Sequence, residues 1–166
     1  ASQSPRRRGL LGRMGLAGFR VVSPDVDEHM EEDLPPAQLV CRLSQRKARA
    51  VREQVGDEGL IIAADTVVAL DGTVLGKPAD ELAAFKMLST LSGVRHQVYT
   101  GLTVLRGGEE HTEYEVTDVS FRELTQGEIE DYIRTGEPMD KAGAYGIQGY
   151  GALSISGIQG DYYNVM

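Results

Sequence analysis

The stretch Leu60-Ile61-Ile62-Ala63-Ala64-Asp65-Thr66-Val67-Val68-Ala69-Leu70-Asp71-Gly72-Thr73-Val74-Leu75 decides how the rest of the chain is read. Nine of its first eleven residues are apolar, and the run stops at turn residues. That pattern predicts a strand buried on both faces. It is too short and too polar to cross a bilayer, which takes about 20 apolar residues. Asp71-Gly72 is a strong hairpin signal, so the chain should turn back there. Asp65 breaks the pattern. An unpaired ionised carboxylate in such a strand is expensive, so Asp65 should be paired, protonated, metal-bound or at a cleft edge. Carboxylates kept at that cost are candidate bases or Mg²⁺ ligands, although an Asp at a strand end can also simply cap neighbouring backbone.

Working outward, helical spacing predicts a helix from about Ala79 to Ser92, with Leu82, Phe85, Leu88 and Leu91 on one face and Gly93 as its stop. Val94 to Leu105 reads as a strand, which Gly107-Gly108 returns into a second one ending near Phe121. Thr125 and Glu128 fit a capping box, predicting a helix to about Arg134. Ala152–Ser156 and Tyr162–Met166 are candidates for a final hairpin. Upstream, Pro35-Pro36 opens a long helix to about Val55, and Phe19-Arg20-Val21-Val22 reads as a short strand. Ser4 and Pro5 look like the N-cap and first residue of a helix ended by Gly15 and Gly18. Helices alternate with strands early and hairpins dominate late. The expected class is α/β (α+β) with a bent mixed sheet flanked by helices.

The composition fits one domain over residues 1–166: 41% of residues are hydrophobic and 25% charged. One cysteine, Cys41, excludes an internal disulfide framework and a cysteine-based zinc site. With no secretory signal pattern in view, the expected address is cytoplasmic. The net charge of −8 argues against a nucleic-acid polymer as partner. Its distribution is uneven. Residues 1–20 carry five arginines and no acid, and a second basic cluster comprises Arg42, Arg46, Lys47, Arg49 and Arg52. Two basic patches on an acidic body suit a small polyanion such as a nucleotide, or two solvated helix faces.

Three further features stand out. Lys47 lies four residues from both Leu43 and Val51 on the apolar stripe of its helix, so it either snorkels outward or meets an anion in a cleft. In Ser2-Gln3-Ser4-Pro5-Arg6-Arg7, a helix N-terminus, two hydroxyls and two arginines suit a phosphate, and Lys77-Pro78 precedes another helix. Gly143, Gly146 and Gly149 would let backbone approach a ligand, with Gln148 offering both a donor and an acceptor to a base edge. The run is neither a Walker loop nor a dinucleotide fingerprint. His29, His96 and His111 show no metal-ligand spacing, and no Ser-His-Asp or Cys-His arrangement is visible.

Taken together, Ala1–Arg7 (ASQSPRR), Gln45–Ala48 (QRKA), Ala64–Thr66 (ADT), Gly76–Pro78 (GKP) and Gly136–Gly149 (GEPMDKAGAYGIQG) closely resemble the Maf family of nucleoside triphosphate pyrophosphatases over essentially the whole chain. The resemblance implies metal-dependent cleavage between the α- and β-phosphates, with Mg²⁺ or Mn²⁺ as cofactor. It also implies a fold like that of inosine triphosphate pyrophosphatases, with the nucleotide between two lobes. Residue by residue, Asp65 matches the proposed proton acceptor, Arg7, Lys47 and Lys77 match triphosphate-binding positions, and Ser2 lies in the same loop. Glu28 matches an acidic position that joins Asp65 at the metal. Arg6, Thr66 and Gln148 match positions tied to substrate choice. The branch acting on 7-methylguanosine triphosphate typically has Trp, Gln and Glu at those three places, so this chain resembles the dTTP/UTP branch.

Family members usually begin earlier with a strand and continue into a closing helix, so the chain is expected to lack both. The partner expected is a nucleoside triphosphate, with no membrane involved and a homodimer left open. Because the family is linked to septum formation, the alternative is a nucleotide-binding regulator of cell division acting through a protein partner.

Overall fold

The computed structural model describes residues 2, 4–24, 26 and 34–166. Ten regular elements follow one another: α1 (Pro5–Arg13), α2 (Pro36–Val55), β1 (Leu60–Leu70), β2 (Thr73–Leu75), α3 (Glu81–Leu91), β3 (Arg95–Arg106), β4 (Glu109–Phe121), α4 (Gln126–Arg134), β5 (Ile155–Gln159) and α5 (Tyr162–Val165). The strands form one five-stranded sheet in the order β2-β1-β3-β4-β5, so the fold is α+β as expected.

The expected mixed sheet is antiparallel instead. β1 pairs antiparallel with β2, and β4 with β5. Gly107 and Gly108 alone join β3 to β4, a loop too short for a parallel crossover. Ile61 shares a core with Leu105, and Val68 shares another with Val98, which is the antiparallel order for β1 and β3. The reason lies in the hairpin at Asp71-Gly72. With φ of 49° and 81° both residues take the left-handed conformation of a tight hairpin turn. The chain is thus already reversed when α3 carries it across to β3.

Two compact units divide the chain, the first formed by residues 1–34, 38–65 and 101–114, the second by residues 35–37, 66–100 and 115–166. In the first unit, Ala48 and Val51 of α2 pack on Ile61, Ala63 and Leu105, with Val22 and Val55 at the margin. Gly101 is required there, because a Cβ on it would lie 2.2 Å from the Val40 carbonyl oxygen. Ser44, fully buried, shares a 2.8 Å hydrogen bond with the Thr103 hydroxyl, which in turn meets Thr112 at 2.9 Å. α1 ends in a Schellman motif: Leu16 N–H reaches the Leu11 carbonyl and Gly15 N–H the Gly12 carbonyl. Residues 19–22 are irregular rather than a strand, and Phe19 and Val21 are exposed. No strand of the sheet offers them a ladder.

In the second unit, Ala84, Leu88 and Leu91 of α3 pack with Ile129, Tyr132 and Ile133 of α4 over Val68, Val98, Val119 and Phe121. Asp80 caps α3 by accepting the Ala83 N–H at 2.7 Å, so the helix starts at Glu81. Leu82, expected on the core face, falls in that first turn and is 62% exposed. α4 carries the expected capping box, with Thr125 and Glu128 each accepting the other's backbone N–H. The expected last hairpin does not form. Residues 155–159 pair with β4, and Asp161 caps a short helix by accepting the Asn164 N–H at 2.8 Å.

Candidate functional site

Four of the expected site residues meet in the first unit, around the N-terminus of α1. Ser4 caps that helix by accepting the Arg7 N–H, and Pro5 sits where a missing N–H does no harm. This aims the Arg7 side chain inward, where Nη1 donates to the Ser2 hydroxyl at 2.9 Å and to the Ala64 carbonyl at 2.8 Å. Arg7 is therefore fastened to β1 one residue before Asp65. Burial pulls its guanidinium below the usual arginine range, the Asp65 charge works against that shift, and Arg6 adds to it.

Lys47 resolves toward the cleft reading rather than the snorkelling one. Its ammonium pairs with Asp65 Oδ1, and the two side chains are only 16% and 12% exposed. The helical position between Leu43 and Val51, both buried, turns the lysine inward. Asp65 is the one buried carboxylate among the described residues. The two out-of-place residues of the sequence are thus each other's partners. Ser2, Arg7, Lys47 and Asp65 make a pocket wall of two cations and one anion with a hydroxyl. That arrangement can take phosphate oxygens and still hold a base beside them.

Thr66, Lys77 and Gln148 belong to the second unit. Thr66 Oγ1 shares a 2.8 Å hydrogen bond with Thr100 Oγ1. Lys77 is exposed, and the segment carrying it is tied to the glycine-rich run by Gly143 N–H donating to the Gly76 carbonyl at 3.0 Å. Gly143 has φ of +67°, and a Cβ on it would come 2.9 Å from the Val68 methyl groups. Gln148 is exposed, directly before a 3₁₀ turn over Gly149–Ser154. Arg6 is partly buried beside Arg7, and Glu28 lies outside the described residues. Among the described residues, no three His, Cys, Asp or Glu side chains gather as a metal cage, and no helix is long and apolar enough to cross a membrane.

Sequence reasoning missed three groups. The Ala64 carbonyl orients Arg7, and no backbone acceptor can be read from side-chain pattern. His96, scored only as lacking metal spacing, is fully buried with its Nε2 2.8 Å from the Tyr145 hydroxyl. Its ring stands edge-on to both Phe121 and Tyr145. Glu137 holds the backbone of the glycine-rich run through hydrogen bonds from Tyr150 and Gly151. The available signal was a carboxylate beside glycines whose N–H groups needed an acceptor.

Comparison with known proteins agrees with the resemblance read from the motifs. The chain is 52% identical to the dTTP/UTP pyrophosphatase of Symbiobacterium thermophilum over 166 residues, which covers all of this chain and 84% of that protein. It is 50% identical to the dTTP/UTP pyrophosphatase of Thermococcus kodakarensis and 47% identical to that of Bacillus pumilus, each time covering all of this chain and 87% of the relative. The family described as Maf-like protein matches residues 1–166. With that match running through the Arg7, Lys47 and Asp65 cluster, the chain belongs to the Maf-like protein family.

Proposed function

We propose that the chain is a nucleoside triphosphate pyrophosphatase acting on dTTP and UTP in the cytoplasm. The observation that carries this reading is the inward-facing Lys47–Asp65 pair beside an Arg7 fastened to the Ala64 carbonyl. The names of the relatives support the substrate class. In this reading a triphosphate competes for Lys47 and Arg7, and Asp65 is left facing the water that attacks the α-phosphorus. The water loses its proton to Asp65, a P–O bond forms to the α-phosphorus, and the bond to the bridging oxygen of the β-phosphate breaks. The products are the monophosphate and pyrophosphate. Arg7, Lys47 and Lys77 act where charge builds on the departing pyrophosphate. Arg6, Thr66 and Gln148 read the nucleoside, with Ser2 holding Arg7 in place.

Mg²⁺ or Mn²⁺ suits this donor set, because magnesium is commonly held by one or two carboxylates with substrate phosphates completing its shell. Asp65, joined by Glu28, would hold the ion, which supplies Lewis-acid neutralisation of phosphate charge.

The test is product identification from a panel of nucleoside triphosphates incubated with the protein and Mg²⁺. Pyrophosphate and monophosphate should appear from dTTP and UTP, with little from ATP or GTP. Orthophosphate with a nucleoside diphosphate would overturn the site of cleavage.

A further inference from the structure

Glu137 opens a 3₁₀ turn, Glu137–Asp140, directly after α4. Its Oε1 accepts the Tyr132 hydroxyl at 2.9 Å and the Gly151 N–H at 3.0 Å, while Oε2 accepts the Tyr150 N–H at 3.0 Å. The Tyr132 oxygen in turn accepts the Gly146 N–H at 3.2 Å. One carboxylate and one phenol therefore gather three backbone donors that bracket Gln148 on both sides. The close approach depends on glycine. A Cβ at Gly149, where φ is +81°, would lie 2.4 Å from Glu137 Oε2. A Cβ at Gly151 would lie 2.3 Å from the Gly146 carbonyl oxygen and 2.6 Å from the Tyr132 hydroxyl. Burial pushes the Glu137 carboxyl up, but the Gly151 and Tyr150 N–H groups, the Tyr132 hydroxyl and Lys141 together leave it below its ordinary range. Gln148 itself makes no capping bond to the turn it precedes, and its side chain is exposed.

We infer that Glu137 is a positioning residue: with Tyr132 as its relay it fixes the backbone from Gly146 to Gly151, and so sets where the Gln148 amide meets the nucleobase. This rests on the reading of Gln148 as a substrate-choice residue of a nucleotide pyrophosphatase. The carboxylate's hydrogen bonds are spent on the loop, so its effect on substrate passes through Gln148. In Glu137→Gln one carboxylate oxygen becomes an amide NH₂ facing an N–H donor, and the clamp loses at least one bond. In Tyr132→Phe the Gly146 N–H loses its acceptor and Glu137 loses the hydroxyl.

The experiment compares the parent chain with Glu137→Gln and Tyr132→Phe by amide hydrogen exchange and by steady-state kinetics on dTTP and ATP. Amides of residues 146–151 should exchange about tenfold faster in both variants, while those of α3 keep their protection. KM for dTTP should rise several-fold with a smaller change in kcat, and the preference for dTTP over ATP should shrink. In a Gln148→Ala background, Glu137→Gln should leave that preference unchanged. Unchanged exchange at 146–151 would overturn the clamp. Faster exchange with unaltered KM and preference, or an additive loss in the Gln148→Ala background, would overturn its link to substrate choice. A parent chain that cleaves no nucleoside triphosphate would overturn the functional reading and that link, while the exchange arm still decides the clamp.

Discussion

Lys47→Met separates a lysine that works from one that merely fits. Methionine has the same unbranched length and suits the stripe between Leu43 and Val51, so packing is preserved while the charge goes. What is lost is the ion pair with Asp65, whose partners are 16% and 12% exposed. Exposed pairs contribute about 0–1 kcal/mol, and removing one partner of a buried pair costs about 3–5 kcal/mol. These side chains are mostly but not wholly withdrawn from water, so a loss of about 2 kcal/mol is expected. For a chain of 166 residues that corresponds to a fall in Tm of about 4–8 °C.

The kinetic cost is separate. A hydrogen bond from a charged group to a phosphate is worth about 1.5–3 kcal/mol, which predicts a loss of roughly 10–100-fold in kcat/KM for dTTP. Thermal melting and kinetics on Lys47→Met, Asp65→Asn and the double variant complete the measurement. Because each single change strands the other partner, the double variant should be more stable than the sum of the two losses predicts. A Tm equal to or above the parent's, with kcat/KM within twofold, would refute the pair as both a structural and a functional element.

Asp65→Asn should lower turnover on the order of 10²–10⁴-fold, as expected for loss of a general base, while dTTP binding measured by calorimetry persists. Acid stability should depend on His96: burial lowers its pKa to about 4. A buried neutral base takes up its proton on unfolding, so its contribution of about 3 kcal/mol is present above the unfolded value near 6.5 and is lost as pH falls from there through about 4. In His96→Gln the slope of Tm against pH should flatten over that window, and an unchanged slope would move the acid sensitivity elsewhere. Gly101→Ala places a Cβ 2.2 Å from the Val40 carbonyl oxygen and should destabilise the chain by at least 1–3 kcal/mol, the range for overpacking, as read from urea unfolding.

How much of this was legible before the fold was known depended on the kind of interaction. Caps and tight turns are local, so Thr125 with Glu128 and Asp71 with Gly72 were readable directly from residue type. The helix through Lys47 was readable from its period, and so was the side of it that the lysine occupies. Strand pairing is not local. The expectation of a mixed sheet failed because the short β2, three residues long, reverses the chain before α3 does, and no pattern in α3 records that. Residues 19–22 have strand-like composition but lack a neighbour, and composition cannot supply one. Leu82 has the right spacing for the core of α3, yet the cap at Asp80 puts it in the first turn, where it is exposed. At the site, side-chain chemistry pointed to Arg7, Lys47 and Asp65. Their mutual geometry needed the Ala64 carbonyl, which belongs to the backbone.

The costs of Lys47 and Asp65 explain each other. A lysine turned toward a core and a carboxylate in an apolar strand are each unfavourable alone, and eighteen residues separate them. Paired, they neutralise one another when no nucleotide is bound, so the site is held together without an anion. That same pairing makes the site responsive. A triphosphate brings several negative oxygens to Arg7 and Lys47, and each contact it gains from Lys47 weakens the hold on Asp65. The carboxylate is then released toward its work only when substrate charge is present to replace it. On this argument the resting pair restrains the base as well as stabilising the fold. Lys47→Met should therefore lose substrate affinity and stability together, whereas a variant at exposed Lys77 should lose affinity alone.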